Sequence, residues 1–499
     1  MLSIRSIILA AILFILSAAA LESSVNATEA ASSAYCPPRI RKSWDALTPA
    51  EKSTYKRAVA LAMDKGLYER FVSMHRELLS WSSSHNTCGH LFWHRQYLVG
   101  FENMLRSLGP EFSCLTLPYY DFVQDNVKRL TGQCSDIATC SSIVNELGSA
   151  SPPGLLPHLA LINGQPIMGR CDKAEPLNHF CEWQNPASLL CSHCVPRGKY
   201  QGAQLPCSTS PSHLRHLLFK SSGFKELSRG LEWGPSLFMH FHLGGALGNA
   251  FVSPADPLFF PLHATIDALH SIYYNCRVRH LQLDDTAKQA HPLHFEGCSI
   301  AGLFPITATS PVTMKAITNG LTVVDARSPT QVTAPFFKNL PNQQYQLADT
   351  TALNEHSYDY AFTGALHVLR HTCGGCGVAP TGTESCTVEN AKANVTESSG
   401  SPAADVFFKW RSALALQCSV QGLSSIECDV EIEKVLVLYY HNCVAGGAVD
   451  LSAAFKLEWG VAVVEDMLVT LRALLSGSLK IQLHGFGNIN QKYLQCRGD

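Results

Sequence analysis

Cys88-Gly-His90-Leu-Phe-Trp-His94-Arg95-Gln-Tyr97-Leu-Val-Gly-Phe101-Glu102 decides how this chain folds, together with Asp256-Pro257-Leu-Phe259-Phe-Pro-Leu-His263-Ala-Thr-Ile-Asp267 further on. Both stretches have a helical apolar period with imidazoles facing one side. Upstream, Tyr68-x-x-Phe71-x-x-x-His75 is a third helical pattern ending in histidine. A metal needs neutral imidazoles whose lone pairs converge on one point, and a helix bundle delivers them inward. His75, His85 and His94 supply three such groups within 20 positions. Imidazole suits copper, zinc, iron or nickel, so ligand type alone does not choose the metal.

The residues around these histidines choose it. Trp93-His94-Arg95-x-Tyr97-Leu followed by Phe101-Glu102, then Asp256-Pro257-x-Phe259-Phe and His263-Ala-x-x-Asp267, resemble the type-3 copper family of tyrosinases, catechol oxidases and molluscan hemocyanins. The resemblance implies a mainly α fold: a four-helix bundle with a dicopper core and long Cys-rich loops. It implies a first copper held by His75, His85 and His94, because the family's His-x8-His-Arg spacing falls on His85 and His94. It implies a second copper held by His240 and His263. Phe259 would pack between the metal helices. Asp267, one turn past His263, would either orient that imidazole or serve as an ordinary hydrogen-bonding residue.

Two departures complicate this assignment. His90 lies four residues before His94, so the two share a helix face and could chelate one metal. Cys88-Gly-His90 also matches the spacing that, in fungal, plant and molluscan members, joins cysteine to a ligand histidine through a thioether. Such a bond would make His90 the ligand in place of His85, whereas the eight-residue interval favours His85. In either case Cys88 is a candidate for a sulfur left out of the disulfides.

The second departure is in Leu231-Glu232-Trp-Gly234-Pro235-Ser236-Leu-Phe-Met-His240-Phe-His242-Leu-Gly244-Gly245, which resembles Gly-Pro-His-Asn-x-x-His-x-x-x-Gly-Gly. Ser236 stands where the first histidine is expected, and Leu237 replaces an asparagine associated with holding a catalytic water. A hydroxyl is a poor copper ligand beside imidazole. His242 could substitute only with local unwinding, since residues two apart on a helix point about 200° apart. His213 and His216 are more distant candidates. Failing these, the second site holds copper weakly or not at all.

The rest of the chain sets the context. With 38 basic and 40 acidic side chains in 499 residues, nothing points to nucleic acid or an anionic membrane. Residues 1–21 read as a signal peptide and 22–35 as a flexible lead-in. The core is expected over 36–365, where Tyr358-Asp-Tyr360 resembles the Tyr-x-Tyr motif that closes it. Thr48-Pro49-Ala-Glu51 reads as a helix start with a capping box. Residues 366–402 read as a linker. Within it, Cys373-Gly-Gly-Cys376 reads as a disulfide and also resembles cysteine pairs proposed to load copper. Residues 403–499 form an extension of mixed α/β character, with a strand-like Val435–Tyr440 and a helical Val461–Leu475; in many family members such an extension covers the active site.

Nineteen cysteines and the Asn-x-Thr glycosylation sites at Asn26 and Asn394 fit an oxidising compartment. There, Cys191-Ser-His-Cys194 reads as part of disulfide-stapled loops rather than a zinc site. The resemblance implies a secreted copper-dependent phenol oxidase acting on a small phenol with O2, with no nucleic-acid partner and no membrane attachment after signal removal. The rival is a protein that keeps the fold, loses catalysis through Ser236 and serves a structural or copper-binding role. Reversible oxygen carriage fits less well, because carriers in this family repeat the core in tandem and this chain has one core.

Overall fold

Thr48 opens the first long helix, α1 (Pro49–Asp64): its hydroxyl accepts from the Glu51 amide while the Glu51 carboxylate accepts from the Thr48 amide, the predicted capping box. The computed structural model describes residues 36–150, 157–182, 191–318, 322–373, 402–447, 449–461 and 466–499. The signal segment, Asn26 and Asn394 lie outside these residues. Residues 1–39 and 40–499 are separate units, and only residues 36–39 of the first are described.

Gly66, in the left-handed region at φ 66°, turns the chain from α1 into α2 (Leu67–Arg76). Then come α3 (Leu78–Ser84) and α4 (His90–Arg106). Every residue of α4 from His90 to Glu102 is buried, as expected of a helix that is apolar on nearly all sides. Gly100 permits this depth, because a Cβ there would lie 2.3 Å from the Phe337 ring. After α5 (Phe122–Leu130), α6 (Pro211–Lys220) and α7 (Phe224–Leu231), a wide π turn over Glu232–Ser236 kinks at Gly234 and leads into α8 (Leu237–Leu243). The long α9 (Phe259–Arg277) is buried from Phe259 to Tyr274. Helices α2, α4, α8 and α9 form the bundle around Phe259, whose ring centroid lies 5.2 Å from that of His75, 5.9 Å from His240 and 6.1 Å from Tyr97.

A buried ionic network sets the register of α4 against α9. Arg95 Nε donates to Asp267 Oδ1 at 2.6 Å, and Tyr358 and Tyr360 hydroxyls donate to Asp267 Oδ2 at 2.6 and 2.5 Å. Arg41 bridges Asp267 (3.4 Å) and Glu102 (3.0 Å), and all of these side chains are buried. Burial alone would raise the Asp267 carboxyl; Arg95, Arg41 and the two phenols outweigh it and hold it below the usual carboxylate range. The Tyr-x-Tyr pair thus closes the core by satisfying Asp267. Of the two roles weighed for Asp267, the structure shows the second: it bonds cations and phenols, and none of its contacts is to His263.

The strands are short. Pro157–Ile162 pairs antiparallel with Gln165–Asp172, placing Ala160 opposite Ile167, and Val195–Arg197 adds a third strand. Cys298–Ile300 pairs with Phe304–Ile306, and Lys315–Thr318 with Thr322–Asp325. Disulfides Cys134–Cys140, Cys171–Cys194 and Cys181–Cys191 staple the loops, so both cysteines of the Cys-Ser-His-Cys motif are committed to sulfur and not to zinc. Helix α10 (Gly364–Thr372) occupies the start of the stretch read as a linker, and Cys373 is bonded to Cys276 at the end of α9. Cys373 is therefore not half of a copper-loading pair with Cys376.

The described residues beyond 402 form α11 (Pro402–Val420), α12 (Ser425–Cys443), α13 (Ala453–Glu458), α14 (Asp466–Leu475) and α15 (Phe486–Leu494). Val435–Tyr440 lies inside α12 and is not a strand. Its apolar run reflects a helix buried on several sides, with Val435, Leu436, Val437, Tyr439 and Tyr440 all buried, and a short apolar run does not separate the two cases. Asp429 on α12 receives Arg215 of α6 at 2.9 Å and Arg411 of α11 at 2.7 Å. Cys418–Cys428 and Cys443–Cys496 close this region. Among the described residues no helix is long and apolar enough to cross a membrane.

Replacing Asp267 with Asn leaves Arg95 and Arg41 without their shared carboxylate. The expected loss is about 3–5 kcal/mol of unfolding free energy, the scale for breaking one side of a buried ion pair. It would be read from the guanidinium midpoint at constant slope.

Candidate metal centre

His75 ends α2, His85 caps α3 and His94 sits in α4, and their ligand nitrogens lie within 4.8 Å of one another. Each imidazole is aimed by a bond to its other nitrogen. His75 Nδ1 is 3.1 Å from the Phe251 carbonyl, His85 Nδ1 is 3.2 Å from that of Trp81, and His94 Nδ1 is 2.9 Å from that of His90. A carbonyl only accepts, so at His75 and His94 Nδ1 carries the proton and Nε2 keeps its lone pair, while His85 Nδ1 also meets the Ser84 hydroxyl at 2.8 Å. His75 Nε2 and His94 Nε2 are buried without a hydrogen-bond partner. Burial pushes the His75 imidazole down to about 3 and those of His85 and His94 well below the ordinary value. These rings are held neutral, as metal ligation requires.

A second group faces the first. His240 Nε2 lies 3.1 Å from His263 Nε2, and His240 Nδ1 is 2.8 Å from the Leu247 carbonyl. His263 stacks on His94 with ring centroids 4.3 Å apart and planes 6° from parallel. His90, His94 and His263 also bring their ligand nitrogens within 4.8 Å of one another. His90 is buried, its Nδ1 is 3.0 Å from the Ser84 carbonyl, and its Nε2 is buried without a partner. Phe259 packs between the groups, 4.2 Å from the His263 ring and 6.2 Å from that of His94.

His242 belongs to neither converging group. His213 and His216 face Glu433 of α12 at 3.4 and 4.0 Å, and neither is part of a converging group. Ser236 lines a small cavity with His85, His90 and His263. Cys88 is bonded to Cys298, which rules out the thioether and removes Cys88 as the sulfur left over. Among the described residues, Cys207 is buried and outside the disulfides.

The mouth of the site is built by residues to which the sequence reading gave no role. Glu232, at the start of the π turn, accepts from the Asn86 amide at 2.6 Å and lies 3.4 Å from His90 Nδ1. Burial raises its carboxyl to about 8 against the lowering effect of that bond. Its position four residues before Ser236 was the available signal, since both then share a helix face. Trp459 follows α13 and packs its ring 4.9 Å from that of His240; its Nε1 donates to the Gly248 carbonyl at 3.0 Å and its carbonyl accepts from Asn86 Nδ2 at 3.1 Å. No local pattern marks a tryptophan some 200 positions away from the metal motifs.

Buried imidazoles in two facing groups, with unpartnered Nε2 atoms at His75, His90 and His94, fit a pair of copper ions. Comparison with known proteins agrees. The common central domain of tyrosinase matches residues 65–275. The tyrosinase of Streptomyces galbus is 33% identical over 248 residues, 45% of this chain and 79% of that one. Grixazone synthase of Streptomyces griseus is 34% identical over 96 residues, 17% of this chain; the matched part spans only 30% of that protein's length. A solved polyphenol oxidase variant from Thermothelomyces thermophila superposes with a TM-score of 0.41 at 16% identity, covering 68% of this chain and 94% of that one. The central-domain match, the Streptomyces galbus relative and the histidines define a type-3 copper protein. Within that class, the chain belongs to the tyrosinase family, whose members bind a dicopper centre and include copper oxidoreductases.

The disulfide has a chemical signature. Non-reducing peptide mapping should recover Cys88 linked to Cys298, and reduction should release a thiol at Cys88; a Cys88–His90 crosslink that survived reduction would contradict the structure.

Proposed function

We propose that this protein is a secreted copper-dependent phenol oxidase of the tyrosinase or catechol oxidase type, converting mono- or o-diphenols to o-quinones with O2. The observation that carries the reading is the facing of the two histidine groups across Phe259, with His94 stacked on His263. Copper, when bound there, supplies the dioxygen chemistry that imidazole and carboxylate side chains lack. The protein's part is to hold the imidazoles neutral and aimed, to exclude water with Phe259 and to shape the approach. A cavity of about 970 Å³ opens beside the site and shares Asn86, Glu232 and Trp233 with the small inner cavity. It is roomy enough for a phenolic ring.

Secretion is supported by the apolar leader at residues 1–21 and by the disulfides among the described residues. The rival reading, a copper-binding protein without catalysis, draws its support from Ser236 and Leu237. The two readings separate on one preparation. The oxidase should contain two coppers per chain, develop a near-ultraviolet band on adding hydrogen peroxide, and form o-quinone from an o-diphenol; one copper with no band and no quinone would establish the rival.

The segment around Trp459 supports latency. Leu451, Phe455, Trp459 and Val461 form an apolar cluster with Leu237, Phe238 and Ala250 at the mouth, and Glu458 accepts from the Ala250 amide at 3.0 Å. Trp459→Ala opens this plug, and kcat/KM for an o-diphenol should rise several-fold at unchanged copper content. No gain would mean that the segment does not restrict access.

A further inference from the structure

The geometry points to a ligand exchange between helices: His90, on α4, takes for the second copper the place of the imidazole missing at Ser236. The inference rests on the copper-pair reading above. Four observations carry it. Ser236 and His90 line the same inner cavity, together with His263. His90 shares the aiming device of His75 and His94, with Nδ1 on a backbone carbonyl at 3.0 Å and Nε2 buried and unpartnered. Its ligand nitrogen lies within 4.8 Å of those of both His94 and His263, and its ring is 6.1 Å from that of His263, the neighbour of His240. Finally, the first group is complete without it: His75, His85 and His94 already converge, so His90 does not compete with His85.

One turn of α4 then serves both metals, His94 the first and His90 the second, since residues four apart project from the same face. The six imidazoles are His75, His85 and His94 on one side and His90, His240 and His263 on the other. His263 Nε2 meets His240 Nε2 at 3.1 Å. With His240 Nδ1 donating to Leu247, His263 Nε2 is the donor in that contact.

The test is metal content, read independently of activity on the full chain. Wild type, His90→Ala, His90→Asn and the double variant His90→Ala/Ser236→His are loaded with copper and dialysed against a weak chelator, and the apo forms are checked for equal circular dichroism and thermal unfolding. The expected result is two coppers in wild type, one in each His90 single variant with the cupric electron paramagnetic resonance signal of an isolated ion, and two again in the double variant. Two tightly held coppers in His90→Ala and His90→Asn would overturn the exchange while leaving the oxidase reading intact. One copper in wild type would overturn the copper pair itself, and the exchange with it. Loss of the second copper without recovery in a folded double variant would overturn equivalence between positions 90 and 236.

Discussion

The bond between Arg95 and Asp267 is the constraint on which the metal centre depends. Two charges removed from water are costly unless geometry and further hydrogen bonds satisfy them. Here Arg95 also donates to the Leu347 and Ala348 carbonyls at 2.6 Å each, while Asp267 collects two phenols and a second guanidinium. Such a network has few alternative arrangements, so it fixes the register of α4 on α9. His94 adjoins Arg95, and His263 lies one turn before Asp267. The separation of the facing imidazoles is thus set by an ion pair that touches neither.

Backbone carbonyls do the finer aiming. The Nδ1 bonds to Phe251, His90 and Leu247 come from a loop, a helix turn and the bend after Gly244-Gly245, all rigidly placed. Gly245, at φ 56°, brings the chain so close to the neighbouring strand that a Cβ would sit 2.4 Å from the Pro196 oxygen. That bend carries Leu247 back over α8 to His240.

Much of this was legible in the sequence. The helical period marked α2, α4 and α9, the Thr48 and Glu51 pair marked the start of α1, and the histidine wording marked the family. What the sequence left open depended on contacts between distant segments. The partner of Cys88 is 210 residues away, so local spacing favoured a thioether that the fold does not make. The role of Asp267 depended on arginines far from it in sequence. Val435–Tyr440 was ambiguous because a helix buried on several sides lacks the polar face that reveals its period. His90 looked like a competitor of His85 because sequence distance places it beside the first cluster, whereas in the fold it also approaches His263 of α9.

The Trp459 segment is anchored to the loop over residues 244–250, through the Gly248 carbonyl and the Ala250 amide. The same loop supplies the Leu247 carbonyl that steers His240. A plug and a ligand support thus share one short piece of backbone, so displacing the plug leaves two peptide groups for water to claim within three residues of the group that aims a ligand. Access to the site and the stiffness of its second half are in this way mechanically tied: a chain relieved of its cover would also hold that imidazole more loosely.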